Sequence, residues 1–363
     1  MTSSIFRSGL VRLFFSESSR DAIHTLNLAK LTAAQSKVKE RLYIQFVQQQ
    51  NQQQHNQSQP ITNVLDNNNP FTKLPNIINV QSNNGDCSPL VNQHLPRLKQ
   101  LESLIDTYYK IMYRLNSELD VTIVPHMATP SSQHIAHIHA TQPVLPPLEH
   151  QVDALFVDEA DRAHLSGHTN LVVFDDNVAY PTDQYKQSVF DKHDGSNTHA
   201  FAPLFKGVVL GGTFDHMHPG HKILLTMSAL LCSEYMEIGV TDNSILKSKK
   251  YSELIAPFDQ RTNKTYEFIK HVNPYVEYNM LRLLEPYANT MTSSRLEVIV
   301  ISPETLKTAL FINEKRKESN LKPLEIYAIT YFDGVEQGGD FKLSSTYLRE
   351  LEFKKLQAQG QAQ

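Results

Sequence analysis

From residue 206 onward, apolar strands and helical segments alternate regularly, and no other feature constrains the fold of this chain as strongly. "KGVVLGG" (206–212) reads as a strand running into a glycine turn, followed by helical spacing over 219–232. "YMEIGVT" (235–241) is a strand, 257–271 a helix and "YVEYNMLRLL" (275–284) a strand. "LEVIVIS" (296–302) is a fourth strand, 303–317 a helix, "LEIYAIT" (324–330) a fifth strand and 344–357 a closing helix. Five strands joined by crossovers predict an α/β fold, a doubly wound five-stranded parallel sheet over 206–357. In such sheets ligands bind beyond the C-terminal ends of the strands.

The first half is less regular. Leu98, Leu101, Ile105, Tyr108, Met112 and Leu115 share one helical face within 96–117. "DVTIV" (120–124), "ALFVD" (154–158) and "NLVVF" (170–174) read as short buried strands. They predict a smaller α/β domain over 96–180, with 181–205 as a polar linker. "QQQNQQQHNQSQ" (48–59) opens a low-complexity insertion, 47–95, whose polar side chains cannot offset the entropy of ordering. The first residues, 1–46, admit two readings. Arg7, Arg12 and Arg20, several serines and the lone acid Glu17 match a mitochondrial transit peptide. The same Leu/Phe run serves equally as the first elements of the N-terminal domain, and this second reading is slightly preferred. His134, His137 and His139 in "HIAHIHA" read as polar strand-edge residues, since no further metal ligand is placed beside them.

Charge narrows the partners. The 363 residues carry a net charge of −4, with 19 Lys+Arg against 19 Asp+Glu from 206 onward and 15 against 19 before it. No basic field draws in nucleic acid, and local clusters of Lys and Arg suit a small phosphate-bearing ligand. Two cysteines, Cys87 and Cys232, suggest no disulfide framework and fit a reducing compartment, the cytoplasm, with mitochondrial association the other setting weighed. No apolar run approaches the roughly 20 residues that span a bilayer.

The chemistry concentrates in three loops. In "GGTFDHMHPGHKILL" (211–225), Gly211 and Gly212 let backbone amides approach a ligand, and Pro219 suits the first position of a helix. His218 and His221, three apart, project from one side of its first turn, whereas His216 alternates away. A helix start favours an anion; a zinc site built from the same histidines with Asp215 or His216 gains nothing from that dipole. The phosphate reading is favoured, and a polyphosphate is the natural guest. Next, Lys247, Lys249 and Lys250 lie in the loop after the second strand, with Arg261 in the helix beyond. Last, Ser344, Ser345 and Thr346 open the final helix, with Arg349 one turn on. Their hydroxyls can cap the helix, cradle phosphate, or both.

With these residues in view, "GGTFDHMHPGH" and "KLSSTYLR" resemble the HxGH nucleotidyltransferases, Rossmann-like enzymes. "GVTDNSILKSKK", "LIAPFDQR", "LLEPY" and "VISPETLKTALFINEKR" extend the likeness to phosphopantetheine adenylyltransferases over about 206–356. "FRSGLVRL" and "LDVTIV" are more faintly similar to the front of bifunctional coenzyme A synthase. That enzyme continues into a kinase; with no GxxxxGK[ST] loop here, the kinase step is expected to be absent. The resemblance implies that ATP and 4′-phosphopantetheine give dephospho-CoA and pyrophosphate, with Mg²⁺ carried on the ATP. It implies catalytic roles for His218, His221 and Thr213, with Lys247 or Lys249 gripping the acceptor phosphate. Gly211, Gly212, Phe214, Ser344, Ser345, Thr346 and Arg316 join the ATP site by the same resemblance; Arg261 and Asn313 join the phosphopantetheine site. An enzyme making CDP-choline or CDP-ethanolamine is the nearest alternative. Its "RTEGISTT"-like segment is replaced here by "KLSSTYLR". A nicotinamide-mononucleotide adenylyltransferase stands further off. A non-catalytic nucleotide-binding scaffold is disfavoured for 206–356, where all site parts are retained. For 96–180, which show no catalytic constellation, an interaction or regulatory role with a protein partner leads.

Overall fold

A computed structural model of the protein describes residues 5–15, 20–48, 77–78, 89–143, 145–162, 165, 167–168, 170–174, 201–285, 287–330, 332–334 and 341–360. The Gln/Asn-rich tract beyond Gln48 and the linker segment 181–200 lie outside the described residues, as do residues 1–4 and 16–19.

The first half runs β1 (Phe6–Phe15), α1 (Arg20–Gln35), β2 (Val38–Gln48), β3 (Ile77–Ile78), α2 (Pro89–Leu115), β4 (Asp120–Val124), α3 (Ser132–Thr141), β5 (Ala154–Val157), α4 (Glu159–Arg162) and β6 (Leu171–Val173). The second half runs β7 (Phe205–Gly212), α5 (Pro219–Leu231), β8 (Cys232–Thr241), α6 (Phe258–Val272), β9 (Glu277–Leu283), β10 (Val298–Ile301), α7 (Leu306–Glu318), β11 (Glu325–Ala328) and α8 (Ser345–Ala358).

The second half forms the expected doubly wound sheet, with parallel order β9-β8-β7-β10-β11. β3, from within the low-complexity insertion, adds antiparallel to the free edge of β11. The first half forms a second parallel sheet, order β4-β2-β1-β5-β6. Numbered by appearance within each half, both sheets read 3-2-1-4-5. This sheet also draws strands from outside 96–180. Residues 6–48 supply the central strand and its neighbour, because Leu10, Val11 and Leu13 are apolar enough to sit at the sheet's centre, 0–1% exposed. α2 begins at Pro89 rather than 96, and the three-histidine stretch is the helix α3, capped at its start by Ser131. Period alone could not separate the two states over so short a run.

One core runs through both halves. Val11, Leu13, Ile44 and Ile105 belong to the same buried cluster as Val208, Leu225, Ile238 and Val298. Gly207 marks how closely β7 is packed: a Cβ there would lie 1.8 Å from the carbonyl oxygen of Arg295. Among the described residues no helix is long and apolar enough to cross a membrane.

Candidate active site

β7 delivers the loop 213–218 to the start of α5. Within it Phe214 and His216 hold left-handed backbone, φ 50° and 46°. Each such non-glycine residue costs about 1–3 kcal/mol, so the surroundings must over-determine the loop. Asp215, fully buried between them, does so. Arg349 Nη1 donates to its Oδ2 at 2.8 Å, the backbone N–H of Ala256 to its Oδ1 at 3.3 Å, and Ser345 Oγ to its carbonyl oxygen at 2.8 Å. Arg349 also donates to Lys250 O and Thr346 Oγ1, both at 3.1 Å. His216 bridges Asp215, 3.0 Å away, and Glu352, 2.7 Å away. A buried ion pair between residues 134 apart thus pins three loops together. Burial pushes the Asp215 carboxyl up, but hydrogen bonds from His216, Arg349 and Ala256 outweigh it and hold it below the ordinary carboxylate range. The Asp215 hydrogen bond in turn raises His216, against burial and with help from Glu352.

At the start of α5, His218 occupies the N-cap position without capping through its side chain, and Pro219 follows. The first-turn N–H groups are therefore open to an outside acceptor. The His218 and His221 rings stack, centroids 4.0 Å apart, and Phe214 lies 5.6 Å from His221. Burial, then the charges of Lys249 and His216, lower His221 to about 4, so its imidazole is neutral near pH 7. Its Nδ1 is buried without a hydrogen-bond partner among the described residues. Lys249 donates to Thr213 Oγ1 at 3.0 Å. Burial and the nearby Arg349 lower its pKa, Asp215 opposing. Lys247, exposed on the same loop, makes no such contact with Thr213. At α8, Ser344 accepts from Tyr347 N at 3.3 Å, and Thr346 is exposed. Two helix starts, three hydroxyls and one ammonium therefore surround the loop, although Ser345 and Lys249 lie 96 positions apart in the chain.

Four of the expected ligand residues face elsewhere. Arg261, 1% exposed, donates to the carbonyls of Ala256, Thr213 and Thr241 and to Asn243 Oδ1, so its guanidinium organises the loops rather than presenting itself to a phosphate. Asn313 is buried and straps α7 to Leu324 through both its oxygen and its nitrogen. Arg316 is buried against the carbonyls of Lys322, Thr290 and Ser293. Phe214, 2% exposed, supports His221 from below. In each case the backbone carbonyls or core claim a side chain that spacing alone placed at the mouth.

Sequence reasoning missed the Asp215–Arg349 pair. An acid inside a loop suited to anions is an anomaly that calls for a buried cation, and that anomaly was the available signal. Among the described residues no three His, Cys, Asp or Glu side chains gather to hold a metal ion.

Known proteins resemble this half of the chain. A cytidylyltransferase-like family model matches residues 209–351. The phosphopantetheine adenylyltransferase of Saccharomyces cerevisiae is 38% identical over 151 residues, 41% of this chain and 50% of the yeast protein. The match thus spans half the length of that relative. Those of Pyrococcus abyssi and Pyrococcus furiosus are 39% and 40% identical over 145 residues, 40% of this chain and 89% and 88% of theirs.

Proposed function

Because the chain belongs to the phosphopantetheine adenylyltransferase family, we propose that it transfers the adenylyl group of ATP to 4′-phosphopantetheine, giving dephospho-CoA and pyrophosphate. An oxygen of the pantetheine phosphate attacks the α-phosphorus in line. The bond from that phosphorus to the bridging oxygen breaks, and pyrophosphate leaves with the electron pair. No covalent enzyme intermediate is needed, so catalysis consists of positioning and of stabilising charge as it redistributes.

The uncapped start of α5, bearing the stacked His218–His221 pair beside Lys249 and Thr213, carries this reading. The open N–H groups at the starts of α5 and α8 and the hydroxyls of Ser344 and Thr346 hold the β- and γ-phosphates, while Ser345 keeps its proton on the Asp215 carbonyl and fixes the loop beside them. His218 and His221 donate hydrogen bonds to the oxygens on which charge develops. His221 does so as a neutral ring that gains basicity when the polyphosphate arrives. Lys249 moves from Thr213 to the acceptor phosphate, and Thr213 marks the meeting point of acceptor and α-phosphate. Mg²⁺ travels on the nucleotide. The loop's single carboxylate, Asp215, is already committed to Arg349 and Ala256 and offers no ligand.

The test is pyrophosphate release by the purified chain. ATP with 4′-phosphopantetheine should turn over, and CTP should not replace ATP. Turnover only with CTP and phosphocholine or phosphoethanolamine would overturn the assignment.

A further inference from the structure

The first turn of α5 is gripped from the other half of the molecule. Lys222 directly follows His221, and its backbone N–H closes the first helical hydrogen bond onto His218 O at 3.1 Å. Its side chain leaves the site and crosses to the N-terminal sheet. There Nζ donates to Asp120 Oδ1 at 2.5 Å and to Val121 O at 2.6 Å. Arg41 Nε, from β2, holds the other oxygen of the same carboxylate at 3.0 Å.

We propose that Asp120 is a positioning residue for adenylyl transfer, acting through Lys222 on the helix turn that carries His218 and His221. The proposal rests on the function assigned above and adds a residue from outside the matched 209–351 segment. A cation in the first turn of a helix faces the positive end of the dipole, and burial adds to its cost. Lys222 is only 6% exposed, so it stays charged and in place only while a carboxylate is supplied to it. Burial already lowers its pKa, with Asp120 opposing. Asp120, conversely, is held below its ordinary value despite burial by Lys222 and Arg41. The pair borders open space. Asp120, Lys222, Arg41, His218 and Glu118 line a cavity of about 460 Å³ between the halves. If the pair is lost, the turn has room to shift, and a shift of the Lys222 amide carries the His218 carbonyl with it. The His218–His221 stack, set by that turn, loosens. A transition state that needs fixed donors suffers more from this than ground-state binding does.

The experiment compares Asp120→Asn, Asp120→Glu and Glu102→Ala in the full chain. Glu102 accepts from Tyr327 Oη and Thr330 Oγ1, both at 2.8 Å, and so clamps the halves together at β11 rather than at α5. Asp120→Asn should lower kcat by about 10- to 100-fold with a smaller change in KM for ATP. Asp120→Glu should recover part of that loss. Glu102→Ala should weaken thermal stability while leaving the kcat of folded protein in place. By NMR the His221 ring, which titrates near 4 in the parent chain, should titrate higher in Asp120→Asn as the turn opens to water. This readout needs no turnover, so it judges the positioning claim even if the parent chain proved inactive with 4′-phosphopantetheine. A folded Asp120→Asn with kcat within about two-fold of the parent and His221 titrating as before overturns the proposal. If Asp120→Asn does not fold, Asp120→Asn/Lys222→Met removes the buried cation as well. The same fall in kcat is expected, and an unchanged kcat overturns the proposal.

Discussion

β1 and β7 hold the same central place in two parallel sheets of identical order, but the charges around them are arranged differently. Around the first sheet, cations meet carboxylates inside the fold. Lys30 Nζ lies 2.5 Å from Asp158 with both side chains buried, and Arg12 lies 3.1 Å from Glu149. Around the second, the acid of the central loop is turned inward to Arg349, leaving Lys249, two imidazoles and two helix starts at the mouth with hydroxyls as their immediate neighbours. Topology is shared, and the difference lies in which charges are left for a guest. The N-terminal half lies directly against the second: α2 and β4 pack on α5, β4 also on α6, and Asp120 reaches α5 through Lys222.

The buried ion pairs offer the largest test of this contrast. Arg349→Met and Lys30→Met each strand a buried carboxylate, and each should cost about 3–5 kcal/mol in urea unfolding. Only Arg349→Met should also slow turnover per folded molecule, because Asp215 then releases the loop. Equal slowing by both would erase the proposed division of labour. Next in size, His221→Ala should reduce kcat by about 10²- to 10³-fold with the melting transition retained. His134→Ala, which removes a 2.7 Å contact to Tyr275 O in the turn between α6 and β9, should leave kcat in place. Retained activity in His221→Ala would remove the helix-start histidine from the mechanism.

How much of this was legible follows from what each signal depends on. The second sheet was readable because buried parallel strands are continuous apolar runs, so "VVLGG" and "VIVI" could be placed without tertiary information. The hydroxyls of 344–346 and the histidines of 218–221 were readable as helix starts, and the structure puts them on one loop. Arg261, Asn313 and Arg316 could not be sorted in advance. A guanidinium that binds carbonyls and one that binds phosphate have the same composition, and only the folded positions of Thr213, Leu324 and Ser293 separate them. The arginines of the first strand were ambiguous for a related reason. "FRSGLVRLFF" interleaves arginines with apolar residues because Arg12 reaches Glu149 at one end of the sheet and Arg7 reaches Glu40 at its rim, and neither partner is near in sequence.

The lysines give a smaller effect. Lys249→Ala should cost about tenfold in kcat/KM for phosphopantetheine, and Lys247→Ala less, since only Lys249 contacts Thr213. The reverse order would place the acceptor phosphate further out along the loop.

The pH dependence of stability is the finest probe, because two histidines five residues apart have opposite signs. His221 falls from 6.5 to about 4 on folding, so between those values the unfolded chain binds the proton that the native ring refuses. Its contribution is complete above 6.5 and is lost as pH falls toward 4, by at most about 1.4 kcal/mol per unit. His216 is raised by Asp215 and Glu352, so its contribution is complete below its unfolded value and is lost as pH rises through its folded one. On going from pH 7 to 5 the two partly cancel. His221→Ala should therefore make the protein less acid-sensitive than the parent, while His216→Ala should make it more so. Urea midpoints at the two pH values measure both slopes. If both substitutions moved the acid slope in the same direction, the division between a ring whose proton affinity is lowered at the helix start and one whose affinity is raised in the Asp215 cluster would be wrong, and the phosphates would meet a different constellation of charge.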